Sequence, residues 1–269
     1  MTLFKKAVAI IAYNRKLVLV LDMSHESKKV LERAADLCNE ERDLEAEVLL
    51  EEQLAIDPDN LEVMTKLGEI QARLCNDHEA EETFRTVLIR DPIYENAVCA
   101  LGALLDQSLR TEEAEKIYRE FLRRNPAGHI ALDGLCRLLL SEDRIDEALK
   151  LARKQVVEYE EDLNAFKPLT YVLEILEDEL EFALYEDWKN QTVFTQYLNN
   201  LLEQLGLVLK REELTVATEE FYCELVDEKS RLVCEIDQVL KNATSRKISI
   251  STELQQRVAS ILKAARGEG

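Results

Sequence analysis

Residues able to do covalent or metal chemistry are few and scattered in this chain. The three histidines, His25, His78 and His129, lie far apart in sequence, whereas a catalytic zinc needs about three protein ligands converging on one point. His78 falls in Asn76-Asp77-His78-Glu79 and His129 precedes an apolar run, places that suit a turn and a helix start. The six cysteines, Cys38, Cys75, Cys99, Cys136, Cys223 and Cys234, contain no C-x-x-C pair, so neither a dithiol nor a zinc site has a local signature. Most sit in apolar runs and read as small buried hydrophobes in a reducing compartment. Adjacent acids such as Glu81-Glu82 and Glu160-Glu161 are what 54 Asp and Glu residues among 269 produce by composition, and they read as solvated faces. No H-E-x-x-H, G-x-G-x-x-G or G-x-x-x-x-G-K-[ST] occurs. Two N-x-T sequons, at Asn190 and Asn242, would matter only in a secreted protein, against which the free thiols argue. The chain is therefore read as a non-enzymatic protein without cofactor or metal.

The elements that carry these residues are legible in the composition. Seven Gly and four Pro leave little material for hairpin turns or phosphate-cradling loops, which disfavours an all-β fold and most nucleotide-binding folds. With 46% hydrophobic residues the chain can bury a core, and 33% charge of both signs reads as solvated helix faces. The expected class is all-α. A net charge of −20 makes nucleic acid and acidic membrane surfaces poor partners, because binding to either begins with Lys and Arg neutralising phosphates.

Three of the four prolines, Pro58, Pro92 and Pro126, recur every 34 residues, and each follows an acid or amide at the end of an amphipathic stretch. Proline there stops a helix by lacking its N–H and forcing the preceding residue out of α conformation. Units begin at Ser27, Leu61, Glu95 and His129. Within them Leu67-Gly68 returns as Leu101-Gly102 and Leu135-Cys136. Ala46, Ala80, Ala114 and Ala148 keep the same period, followed four residues later by Leu50, Phe84, Tyr118 and Ala152. Small residues at places 8 and 20 of a unit let two antiparallel helices approach, and the large residue at place 24 is expected to fill the gap between successive pairs.

Over roughly Ser27 to Asp162 this pattern resembles the tetratricopeptide repeat family. The flanking units fit less well: Arg33-Ala34 replaces Leu-Gly in the first, and the fourth ends in Glu160 instead of Pro. The resemblance implies an α-solenoid whose concave wall is formed by the first helix of each unit, at places 2, 5, 9 and 12. The partner-binding candidates are Glu62, Thr65, Glu69 and Ala72, then Asn96, Cys99, Ala103 and Asp106, then Asp133 and Arg137, with Lys28, Leu31, Ala35, Cys38, Ile130 and Leu140 completing the wall. Small side chains alternate with acids, which suits a basic or apolar helix or extended peptide. The Lys, Asn and Arg clamp by which some members hold a carboxylate is absent, since Leu31, Ala35, Thr65, Glu69, Cys99 and Ala100 occupy its places, although Arg137 and Lys167 could hold one isolated carboxylate.

Outside the repeats, Met1 to Leu21 is the most apolar stretch, but Asn14-Arg15-Lys16 divide it into runs too short for the roughly 20 residues of a membrane span. It reads as an N-terminal helix, within residues 1–26, that docks on the first repeat, with membrane contact through residues 1–21 as the alternative. Residues 163–206 read as capping helices, Leu169 to Trp188 and Thr192 to Leu205, stopped by Gly206. Residues 207–269 read as a C-terminal helical segment. In it, apolar spacing begins at Arg211 and ends at Lys241, Asn242 to Ser249 is a loop, and a final helix opens with a Thr252…Gln255 capping box. The architecture expected is four helix-turn-helix repeats over 27–162 followed by a C-terminal helical bundle. The function expected is a cytoplasmic interaction scaffold or assembly factor that binds a protein segment in an acidic groove, with self-association as a homo-oligomer open to the C-terminal helices. The alternatives are a membrane-associated assembly protein and a secretion-type chaperone for an apolar client.

Overall fold

A computed structural model describes residues 26–186, 191–214, 219–246, 248 and 250–267. The Met1 to Leu21 segment lies outside the described residues. The chain is all-α and divides into two compact units, 1–125 and 126–269.

The first unit holds three helix pairs. Residues 26–39 form α1, paired with α2 (Asp43–Ile56); α3 (Leu61–Arg73) pairs with α4 (Asp77–Arg90), and α5 (Glu95–Gln107) with α6 (Thr111–Arg124). Each second helix ends just before a proline turn, and Asn60 caps α3 by accepting a hydrogen bond from the Val63 N–H. Successive pairs stack in an α-solenoid: Val63, Leu67 and Ile70 of α3 pack on Ala46 and Leu50 of the preceding pair.

Inside each pair the chain turns through one left-handed residue. Glu41, Cys75 and Leu109, and Asp143 in the second unit, have φ between 59° and 62° and fall 34 residues apart. Each turn makes the same two bonds. The Leu109 N–H donates to the Asp106 carbonyl at 2.9 Å and the Arg110 N–H to the Leu105 carbonyl at 2.8 Å, as Cys75 and Asn76 do to Ala72 and Gln71. These satisfy the last carbonyls of the first helix in a Schellman motif. A non-glycine residue pays roughly 1–2 kcal/mol for that conformation, and Leu109 is 91% exposed, so its side chain returns little. Leu109→Gly is expected to stabilise the first unit by about 0.5–1 kcal/mol after the entropy cost of glycine, read as a raised denaturation midpoint.

Close approach within a pair is set by glycine. A Cβ at Gly68 would lie 2.5 Å from Phe84 Cε1, and one at Gly102 would lie 2.6 Å from the Tyr118 hydroxyl oxygen. The large residue at place 24 therefore lies over the glycine of its own pair as well as meeting the next pair, as Leu50 does Val63, Leu67 and Ile70.

Only the first pair departs from this apolar stacking. The places of Val63, Leu67 and Ile70 are taken in α5 by Ala97, Leu101 and Leu104, all buried. In α1 they are Lys29, Arg33 and Asp36, all exposed.

The second unit opens with a fourth pair, α7 (His129–Ser141) and α8 (Ile145–Glu158). A short 3-10 turn (Leu163–Phe166) leads into α9 (Lys167–Glu186), α10 (Gln191–Leu214), α11 (Glu219–Arg246) and α12 (Thr252–Ala265). α10 is the centre of this bundle and packs on α9, α11 and α12 through Leu198, Leu201, Leu202, Leu205, Leu232, Ile236, Leu254 and Val258. Beside this core, Asn200 donates to the Leu173 carbonyl at 3.0 Å, Gln204 to Asn200 at 2.6 Å, and Arg231 to Glu177 at 3.1 Å, a polar network that fixes the register of three helices.

Four sequence expectations are corrected here. Gly206 does not end a helix: α10 runs through it to Leu214 because Leu205 and Val208 on either side are buried, and packing outweighs a glycine penalty of about 1 kcal/mol. The helix expected from Arg211 therefore starts later, since Arg211 belongs to α10. Asn242 to Arg246 is the last turn of α11, held by the buried Ala243. The cap of α12 is Ser251, whose hydroxyl accepts from the Leu254 N–H at 3.2 Å, while Gln255 reaches back to the Ile250 carbonyl. A Cβ at Gly206 would meet nothing within 4 Å, so Gly206→Ala is expected to stabilise the bundle by about 0.5–1 kcal/mol, seen as a higher melting temperature.

Candidate functional site

The candidate wall residues fall in both units. In the first, α3 and α5 carry Glu62, Glu69 and Asn96, and the sequence reading missed one half-buried side chain that feels the charges of Glu62 and Glu69, Tyr94. Partial burial, and then the charges of Glu62, Asp91 and Glu69, push its pKa above the usual phenol value. Tyr94 holds the N-cap place of α5 but makes no side-chain cap. Asn60 at the equivalent place does cap, and that exchange of a capping amide for an aromatic was the available signal.

Around this cluster Lys66 pairs with Glu69 at 2.8 Å, Asp106 accepts from Thr111 at 3.3 Å, and Glu62, Asn96 and Ala103 are exposed. Ala72 is half-buried. Thr65 is 3% exposed and its hydroxyl donates to the Leu61 carbonyl at 2.7 Å, so that side chain is spent inside the helix. Cys99 is half-buried, and its carbonyl accepts from the Tyr118 hydroxyl at 3.3 Å. The first unit thus presents acids and small residues side by side on α3 and α5, with Lys66 paired to Glu69 among them.

In the second unit Arg137 Nε donates to Asp133 at 2.7 Å, and the guanidinium lies 3.7 Å over the Tyr171 ring, a stacked cation. Both line a cavity of about 660 Å³ with Ile130, Lys167, Glu174 and Arg211. Burial and the neighbouring Glu228 raise the Glu174 carboxyl above the ordinary carboxylate range. Asp133 is neutralised by its own helix, so the acidic character expected of the wall belongs to the first unit, and the second offers a mixed-charge cavity in which Arg137 and Lys167 stand together.

The cysteines divide by exposure. Cys38 and Cys136 are buried, and burial pushes the Cys136 thiol up to about 12, which removes it as a nucleophile at neutral pH. Cys75 and Cys234 are exposed, contrary to the expectation of burial, because Cys75 is the left-handed turn residue of its pair and Cys234 is on the solvent side of α11. Among the described residues no group of three His, Cys, Asp or Glu side chains is placed to hold a metal ion. No helix among them is long and apolar enough to cross a membrane.

No protein-family model matches the chain, and no curated protein sequence is significantly similar to it. Among solved structures it is similar to a tetratricopeptide repeat protein of Parabacteroides merdae, at 16% identity over 89% of this chain and 98% of that one, with a TM-score of 0.43. It is also similar to a thermophilic repeat protein of Thermus thermophilus, at 20% identity over 65% and 98% with a TM-score of 0.45, and to MamA of Desulfovibrio magneticus, at 18% over 66% and 96% with a TM-score of 0.42. The 34-residue period, the glycines under Phe84 and Tyr118 and the left-handed turn at the middle of each pair make this array, on its own geometry, a regular repeat of antiparallel helix pairs.

Proposed function

We propose that this chain is a non-enzymatic interaction scaffold or assembly protein, and that the face of α3 and α5 bearing Glu62, Glu69, Asn96 and Asp106 receives a basic or neutral segment of a protein partner. The observation that carries the reading is a half-buried Tyr94 in the field of the Glu62, Asp91 and Glu69 carboxylates, on a face where Glu62, Asn96 and Ala103 are exposed. An aromatic ring flanked by carboxylates and small side chains supplies both halves of a contact with a Lys- or Arg-bearing segment: apolar area for the aliphatic stem and charge for its head. The fold supports a binding role in the same sense, since stacked helix pairs expose one face of every first helix.

The test is affinity purification of the full chain beside a version carrying Glu62→Lys, Glu69→Lys and Asp106→Lys. A partner retained by the first and lost from the second supports the reading; identical partner sets from a folded variant overturn it.

A further inference from the structure

The first helix pair carries an apolar strip where the other pairs are charged. Places 18 and 22 of the repeat hold His78 and Glu82, Glu112 and Lys116, and Asp146 and Lys150, all exposed. In the first pair they hold Leu44 and Val48, 66% and 53% exposed. The floor beneath changes in the same sense. Leu37 and Leu49 stand where the second pair has Gln71 and Thr83, which are joined by a 2.9 Å hydrogen bond from the Thr83 hydroxyl. With Arg33, Glu45 and Glu52 these four residues line a depression of about 520 Å³. A surface helix keeps its large aliphatic residues on its core side. α2 buries Ala46 and Leu50 on one side and shows Leu44 and Val48 on another, so its sequence is that of a helix covered twice.

We propose that residues Met1–Leu21 of this chain cover the strip, laying their apolar side along Leu44 and Val48. The point of attachment is right. The chain enters α1 at Glu26, and Ser27 accepts a hydrogen bond from Gln53 at 3.0 Å, so the segment departs beside the C-terminal end of α2. α2 has 14 residues and is therefore about 21 Å long, which 21 residues span even as a helix of about 30 Å.

Charge agrees. Met1–Leu21 carries Lys5, Lys6, Arg15 and Lys16 and no acid, while α2 carries Asp43, Glu45, Glu47, Glu51 and Glu52 and no base. Arg42 and Arg73 pair with Glu45 and Asp43; Glu47, Glu51 and Glu52 make no ion pair among the described residues. The competing seat, the outward side of α1, would bury Lys29 and Asp36 as well as Arg33 under an apolar segment, whereas of these three charges Arg33 alone borders the depression.

The four basic residues of the segment are trypsin sites, so docking is read as protection. In the full chain, cleavage after Arg15 and Lys16 is expected to be slow, and Leu44→Gln with Val48→Gln is expected to accelerate it about tenfold or more by raising the population of the open form, with cleavage at Lys116 and Lys150 unchanged. Both substituted positions are exposed in the described residues, so an unchanged far-UV circular dichroism spectrum should accompany the effect. Glu45→Gln with Glu52→Gln is expected to act in the same direction, more weakly. Equal cleavage rates in wild type and Leu44→Gln/Val48→Gln overturn the proposal. So does a dimer by light scattering that this variant dissociates while cleavage stays the same, which would seat a second copy on the strip. Flotation with anionic vesicles that needs residues 1–21 but ignores Leu44 and Val48 overturns it as well.

Discussion

Gly102→Leu is expected to destabilise the first unit by about 1–3 kcal/mol or more, the range for forcing side-chain carbons into a packed interior. The Tyr118 ring that a new side chain would meet is 3% exposed, and its hydroxyl is tied to the Cys99 carbonyl. It cannot swing into water without surrendering both its burial and that bond. Even Gly102→Ala is expected to lose stability, although alanine is the better helix former by about 1 kcal/mol. The contrast with Gly206 makes the test sharp, because the same substitution in open space is expected to have the opposite sign. Adding Tyr118→Ala to Gly102→Leu should recover part of the loss, a coupling that two independent sites would not show. Thermal or urea unfolding followed by circular dichroism measures all of this, and an unchanged midpoint for Gly102→Leu would refute the pairing of place 8 with place 24.

For binding, the largest effect is expected from the triple reversal of Glu62, Glu69 and Asp106 to Lys. Each substitution replaces attraction for a basic segment by repulsion, and losing the partner of a desolvated charge costs about 2–5 kcal/mol, so affinity should fall by a hundredfold or more. The fold should persist, because Glu62 is exposed and Glu69 and Asp106 are half-buried at the surface. Only Lys66 and Thr111 lose partners. Conservative replacement by Gln is expected to weaken binding less than Lys does and to reduce its salt dependence, since the attraction between surface charges is screened within about 8–10 Å at ordinary ionic strength. A partner whose affinity is indifferent to both salt and reversal would sit elsewhere, and the mixed-charge cavity beside Arg137 and Tyr171 is then the next surface to alter.

Much of the array was written in its period. Proline spacing, the Leu-Gly pairs and the alanines place every helix of the four pairs to within a few residues, because helix stops and close approaches each demand a particular residue type. The turns between paired helices were not legible. Glu41, Cys75, Leu109 and Asp143 share one left-handed conformation without sharing chemistry, and none is glycine or asparagine, so the geometry is imposed by the helices on either side. Gly206 misled because propensity is a weak prior beside the burial of Leu205 and Val208, and Asn242 to Arg246 because a polar run can still be helical when one residue, Ala243, reaches the core. Of the candidate wall, Glu62, Glu69 and Asn96 could be read from the repeat register. The loss of Thr65 to its own helix and the pairing of Asp133 with Arg137 depend on side-chain rotamers that spacing does not encode. Tyr94 escaped because an aromatic residue in a capping place looks like an irregular loop until its neighbours are known.

The charged outer side of α1 has a consequence for the protein at high concentration. Helix pairs of this kind recognise one another through a head-to-tail contact, and such a contact does not close on itself. Repeated between molecules it generates an open fibre. With Lys29, Arg33 and Asp36 where α3 carries Val63, Leu67 and Ile70, one molecule cannot add to the end of another in the manner in which its own pairs add to each other. Three side chains therefore blunt that face of α1, and in the second unit α9 packs on α7 and α8, so a fibre grown by adding pair to pair finds neither of the surfaces it needs.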